Sequence, residues 1–150
     1  MRAITLRHPW PWVICRLAKR VENRPWQPAP SLLKVGDLLA LHGGKETPSG
    51  EVQEAIDWMQ SRSLIPPDQL GELADPSRHH SAIVAVARFG GVVTQSEDSW
   101  FFGPYGWLLE DVVVLRNPVR CRGMQGLWQL PPNAERALQT QLEHGSEAAP

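Results

Sequence analysis

Hydrophobic and polar positions alternate with period two in several short runs and with helical spacing in a few others. In Arg2-Ala3-Ile4-Thr5-Leu6-Arg7, Ala3 and Thr5 fall on one side and Ile4 and Leu6 on the other, which predicts a strand. Pro9 and Pro11 suit a helix's first turn, and Val13, Ile14 and Leu17 follow at helical spacing, predicting a short helix over 10–18. Residues 21–31 hold three prolines and read as an extended loop. A buried-type strand follows over 37–42, ended by Gly43-Gly44. Thr47-Pro48 caps a helix to about Ser61 with Val52, Ile56 and Met59 inward, and Pro66-Pro67 opens a helical turn to about Leu73.

The Ile- and Val-rich run 81–89 is a strong strand, and Gly90-Gly91 permits a bulge before Val92-Val93. Residues 107–109 and 111–115 read as two strands or one bent strand, and 127–130 as a closing strand. Asn133 caps a terminal helix with Ala134, Ala137 and Leu138 inward, leaving a tail over 144–150 that frays. Five or six short strands with two or three helices describe an α+β chain, one domain over 1–143. Short, bulged strands without edge protection tend to close into a barrel.

Composition supports one ordinary globular core: 150 residues, 42% hydrophobic and 21% charged, with 14 prolines and 12 glycines favouring turns over long helices. No apolar run reaches bilayer length, and Arg7, His8 and Pro9 interrupt any leader-like stretch, so the expected setting is cytoplasmic with no membrane partner. Cys15 and Cys121 form no C-x-x-C pair and read as reduced, partly buried thiols.

A net charge of −1 hides an asymmetry. Residues 1–24 carry Arg2, Arg7, Arg16, Lys19, Arg20 and Arg24 against Glu22 alone, and 112–134 carry Arg116, Arg120 and Arg122 with no acid. The middle holds Glu46, Glu51, Glu54, Asp57, Asp68, Glu72 and Asp75 against Arg62 and Arg78. If the two basic stretches meet, they form one local positive site suited to a few phosphates rather than to general coating of nucleic acid.

The chemistry concentrates at Leu17-Ala18-Lys19-Arg20-Val21-Glu22-Asn23-Arg24. This stretch resembles the ASCH family signature G-x-K-x-x-E-x-R: Lys19, Glu22 and Arg24 fall on its charged positions, and Leu17 stands where the family usually has glycine. The run 6–12 resembles the family's strand and aromatic-proline helix start. Residues 23–26 resemble its continuation, and 103–128 its C-terminal half, so the likeness spans most of residues 2–130. It implies a PUA-like β-barrel with a cleft beside the first helix. The implied partner is single-stranded RNA or a modified nucleoside or nucleotide. Some members are amidohydrolases of N4-acylated cytidine and others ribonucleases. In the amidohydrolase type a threonine stands at the position of Glu22, where this chain has a carboxylate.

Three functional readings follow. In a binding module, aromatics stack a base, Lys19 and Arg24 hold phosphate, and Glu22 reads an amino group or organises the cations. In a hydrolase, Lys19 and Glu22 are catalytic. A ribonuclease would use them in proton transfer with Arg24 stabilising the phosphorane, and an amidohydrolase would pair Lys19 with a water activated by Glu22. In a non-catalytic regulatory domain the cleft is vestigial, and the three charges pair only with one another. Trp10, Trp12 and Trp26, in proline-rich segments around the motif, are the stacking candidates with Tyr105 and Trp107, though core packing is the safer reading of any one of them. Trp58 and Trp128 read as core or its edge. His42 ends a strand where a cleft can open, Arg120 and Arg122 alternate across Cys121 and add to the basic site, and His79-His80 has no third ligand at useful spacing, so no metal or cofactor is expected. No P-loop and no G-x-G-x-x-G is present, which argues against a nucleotide triphosphatase or a dinucleotide enzyme.

Overall fold

The computed structural model describes every residue except Asp75, Pro76 and Ser146, so the Asp75 of the central acidic run lies outside the described residues. The fold is α+β, a sheet curled into a half-barrel with helices around it. Its strands are β1 (Arg2–Leu6), β2 (Val21–Arg24), β3 (Leu38–Gly43), β4 (Ala82–Val93), β5 (Tyr105–Arg120), β6 (Leu127–Gln129) and β7 (Glu147–Ala148). The hydrogen-bonded order is β2-β5-β4-β3-β1-β6, with β7 added beside β2's edge of β5. β1 and β3 are parallel, and every other pair is antiparallel.

Alternation along the central strands sorts their side chains into two cores. Ile4, Leu6, Leu39, Leu41, Val84, Phe89, Trp107 and Leu109 fill the concave side. Ala3, Ala40, Ile83 and Val86 face the other side, covered by Trp128, Leu130 and helix α3 (Pro132–His144) through Ala134 and Leu138. Helices α1 (Trp10–Arg16) and α2 (Ser49–Ser61), with a 3₁₀ helix over Pro67–Ala74, close a third cluster: Trp12, Val13, Leu17, Met59, Ile65, Leu73 and Trp100.

Several local readings need correction. The first four residues of the supposed 21–31 loop form β2, because Val21–Arg24 pairs with Leu108–Tyr105 along the outer edge of β5. Pro25 lies just beyond the strand, where a missing amide costs no ladder bond. For 107–115, the single bent strand is the alternative found, within β5 and with Asp111 at a positive φ of 46°. Thr47 does not cap α2: its hydroxyl accepts the His8 amide at 3.0 Å, and the helix starts after Pro48. Asn133 sits inside the first turn of α3 rather than at its cap, and Ala137 is exposed, so the inward stripe is Ala134 and Leu138. Within the segment read as a tail, β7 pairs with Val113 and Val114 of β5.

A short 3₁₀ helix, Ser77–His79, closes over the end of β3. A Cβ on Gly43 would lie 2.2 Å from the His79 carbonyl, so only glycine fits there. His8 is buried beneath it, its Nε2–H donating to the Gly44 carbonyl at 2.7 Å and its ring 4.6 Å from that of His80. Burial lowers the pKa of His8. It also lowers that of His79, to about 4, with the charges of His8 and Arg78 adding to the effect.

Two predictions follow from this packing. Leu39 is fully buried between strands, so Leu39→Ala should cost about 2–5 kcal/mol in chemical denaturation; a loss below about 1 kcal/mol would contradict the packing. An unfolded histidine takes a proton near its model value of 6.5, whereas folded His79 resists one down to about 4. Stability should therefore be full above about pH 6.5 and fall as pH drops toward 4. The fall in urea midpoint between those pH values should shrink in His79→Gln, and an unchanged fall would exclude His79 as a contributor.

Candidate functional site

The turn after α1 places the charged motif. Leu17 leaves the helix in extended geometry (φ −116°) and packs into the third core, so no left-handed glycine is required at that position. Arg20 gathers the turn by donating to the carbonyls of Ile14, Leu17 and Lys19 at 3.2, 3.4 and 2.9 Å. The Lys19 side chain is thereby directed inward, where only 1% of the residue remains exposed.

A buried ammonium needs acceptors. Lys19 Nζ donates to the Val21 carbonyl and to Glu22 Oε1, the latter at 3.4 Å, and lies 5.1 Å from the centre of the Trp10 ring. Burial lowers the Lys19 pKa, Glu22 opposes the shift through its charge and hydrogen bond, and Arg24 adds a smaller lowering. Glu22, itself buried, holds Arg24 through its other oxygen: Arg24 Nε is 3.0 Å from Oε2. That contact is an ion pair lying off the N–H direction, since Nε has no directed hydrogen bond. Arg24 also donates from Nη2 to the Thr5 carbonyl at 2.7 Å, which ties β2 to β1 across the open side of the curl.

Around this trio lies a cleft of about 390 Å³, in the range of small-molecule pockets. Lys19, Glu22, Asn23 and Arg24 supply its polar lining, and Trp10, Trp58 and Phe102 its aromatic walls. Trp58 stands edge-on to both Trp10 and Phe102, with ring centres 6.1 and 6.3 Å away. Phe102 is 71% exposed, so its ring is held at the mouth of the cleft rather than packed in the core. Asn23 fixes that wall by accepting the amides of Phe102 and Gly103 at 2.7 and 3.0 Å and donating to the Trp100 carbonyl at 3.0 Å.

A second cavity of about 710 Å³ adjoins the first, and Thr5, Arg7 and Arg24 line both. It holds Trp26, His42, Lys45, Glu46 and Arg122, so the two basic stretches of the sequence do meet here. His42 is buried and its pKa is lowered by burial. The neutral ring donates Nε2–H to the Cys121 carbonyl at 2.8 Å and offers Nδ1 to the Thr5 hydroxyl at 3.3 Å. That hydroxyl also reaches the Met124 carbonyl and accepts Trp128 Nε1–H, at 3.0 and 3.1 Å.

The predicted site residues therefore separate. Lys19, Glu22, Arg24 and Trp10 share the first cleft, while Trp26 and His42 line the second cavity beside Arg24. Trp12 is buried in the third core and lines neither cavity, whereas Trp10 packs half-buried against that core and reaches the cleft. Trp107 is fully buried against Phe89 and Trp26, its Nε1–H donating to the Trp26 carbonyl at 3.0 Å. Tyr105 packs at the margin of the concave core and lines neither cavity. Arg120 instead donates to the His80 carbonyl, apart from Arg122. Cys15 and Cys121 are free thiols, burial pushing Cys15 up to about 12. Among the described residues, no group of three or more His, Cys, Asp or Glu is placed to hold a metal ion, and no helix is long and apolar enough to cross a membrane.

Thr5, Asn23, Trp58 and Phe102 are site residues that sequence reasoning passes over. The run Trp100-Phe101-Phe102 before Gly103-Pro104 carries a usable signal, because three successive aromatics at a turn cannot all point inward. No protein-family model and no curated protein matches the chain.

Removing the Asn23 side chain leaves two amides without their acceptor. Asn23→Ala should cost about 1–3 kcal/mol and speed hydrogen exchange at Phe102 and Gly103. Unchanged exchange at both would show that the wall is held by something else.

Proposed function

We propose that this chain is a nucleobase-binding domain of the ASCH, PUA-like type, acting on RNA or a modified nucleotide. The observation that carries the reading is the pairing of one exposed and two half-buried aromatic side chains with the Lys19–Glu22–Arg24 trio in one cleft. Asn23 fixes the Phe102 backbone while the ring stays 71% exposed at the cleft, an arrangement that suits a ligand-facing side chain. Lys19 already lies over the Trp10 ring and Arg62 over the Trp58 ring, so the exposed Phe102 ring is the main stacking surface for a base, and stacking contributes about 1–3 kcal/mol per base. Glu22 supplies a carboxylate acceptor for an exocyclic amino group. Lys19 Nζ lines the cleft beside the Trp10 ring, in reach of a ligand carbonyl or phosphate oxygen placed there. The motif resemblance points to the same ligand class.

A second reading, hydrolysis of an N4-acyl group, is favoured by the lowered pKa of Lys19 beside a carboxylate. Glu22 would take a proton from water as its oxygen attacks the acyl carbon. Lys19 would hand a proton to the departing N4 nitrogen as the C–N bond breaks, giving a carboxylic acid and the free amino group.

Titrating the protein with N4-acetylcytidine, followed by tryptophan fluorescence and by mass spectrometry of the nucleoside, tests both readings. Phe102→Ala should weaken binding by about 1–3 kcal/mol. An acetyl group retained after incubation assigns a binder, and its loss with the native protein but not with Lys19→Ala assigns the hydrolase. No quenching by N4-acetylcytidine, and none by an RNA that contains it, would overturn the base-binding reading.

A further inference from the structure

The second cavity has a chemistry of its own. Lys45 and Arg122 are exposed on its rim, and neither has an acidic partner among the described residues. Glu46 is the one acid in its lining. Arg7 and Arg24 line the boundary with the first cleft, each with one acid already engaged: Glu51 for Arg7 and Glu22 for Arg24. Each cavity also carries its own aromatic surface, Phe102, Trp10 and Trp58 in the first and Trp26 in the second. Trp26 is half-buried, standing edge-to-face on Trp107 at 4.9 Å between ring centres, so its orientation is set by the core.

The order across the surface is aromatic pocket, arginine boundary, then a cavity with a rigid aromatic and two unpaired cations. That is the order of base, phosphate, base along a single strand, where stacking platforms alternate with cations that track the backbone. A free nucleoside would engage only the first cleft and leave Lys45 and Arg122 without a counter-charge. We propose that the two cavities are consecutive nucleotide sites on one strand. A base would enter the first cleft, its adjoining phosphate would cross between Arg7 and Arg24, and the next nucleotide would lie in the second cavity on Trp26, its phosphate held by Lys45 and Arg122. The preferred ligand is thus a single-stranded oligonucleotide rather than a free nucleoside. The proposal rests on the base-binding reading of the first cleft.

The test compares an RNA pentamer carrying one central N4-acetylcytidine with free N4-acetylcytidine, using the full chain and the double variant Lys45→Ala/Arg122→Ala. Both replaced side chains are exposed and unpaired, so the variant should keep its fold, which its thermal transition checks. The native protein should bind the pentamer at least tenfold more tightly than the nucleoside. The double variant should lose about tenfold for the pentamer and nothing for the nucleoside. The slope of log affinity against log salt should shrink by about 0.7, for the one phosphate left without its cations on a single strand. A deoxy pentamer run in parallel reads the sugar: equal binding supports the strand site through phosphates and bases, and weaker binding supports it with RNA as the strand.

Equal affinity of the native protein for pentamer and nucleoside, or unchanged pentamer binding in the double variant, would overturn the strand proposal and leave the base pocket standing. Pentamer binding that is lost in the double variant but indifferent to Phe102→Ala would instead overturn the base pocket and keep the second cavity as a phosphate site. Absence of binding by both probes would overturn both.

Discussion

The burial of the Lys19 ammonium constrains everything around the cleft. A cation taken out of water must find acceptors within reach, or give up its charge. Here the acceptors come from the strand that follows: the Val21 carbonyl and the Glu22 carboxylate. Those groups are in place only because β2 pairs with β5, and β2 ends where Arg24 can meet both Glu22 and the Thr5 carbonyl. The same chain of contacts that satisfies Lys19 thus draws β2 toward β1 and shapes the wall shared by the two cavities.

The trio does not behave as a simple surface salt-bridge cluster. Exposed pairs such as Arg7–Glu51 and Arg16–Glu72 are screened by water and add little to stability. Lys19 and Glu22 are shielded, so removing Glu22 would leave the buried Lys19 without its carboxylate, whereas removing Lys19 leaves Glu22 paired with Arg24. A rigid, preorganised set of charges is what a small polar ligand requires, since little reorganisation is then needed on binding. Asn23 extends that order outward to the aromatic rim, joining the charged floor to the Phe102 wall through three hydrogen bonds.

The central acidic stretch of the chain has a plain structural use. Glu51 and Glu72 engage Arg7 and Arg16 of the N-terminal basic segment, while Lys45 and Arg122 stay unpaired among the described residues. Charge that looks evenly balanced in the composition is therefore resolved in space into a neutralised helical side and a cationic cavity. The histidines show the same dependence on surroundings. His8, His42 and His79 are held toward the neutral form by burial; Nε2 of His8 and of His42 donates to a backbone carbonyl beside β3, while Nδ1 of His8 and of His79 is buried without a hydrogen-bond partner.

Local pattern by itself determined most of the elements: the strand over Arg2–Leu6, the helix opening after Pro9, the bulged strand with Gly90-Gly91, and the inward placement of Leu138. These follow from periodicity and from the fixed backbone preferences of proline and glycine, which act over a few residues. The charged residues Lys19, Glu22 and Arg24 were legible for the same reason, as neighbours on one short segment. Tertiary structure alone decided that 21–24 is a strand, because its hydrogen-bond partners lie more than eighty residues away along the chain. It also decided which tryptophans face the cleft. Trp10 and Trp12 look alike in sequence, and both pack on the third core, yet Trp12 is buried within it while Trp10 stays half-buried at its edge and lines the cleft beside Lys19. Trp107 looks like a stacking surface until β4 and β2 close on it from both sides. Side-chain identity states what a residue is able to do, but which face of an element meets solvent is set by long-range pairing, and no local pattern records that.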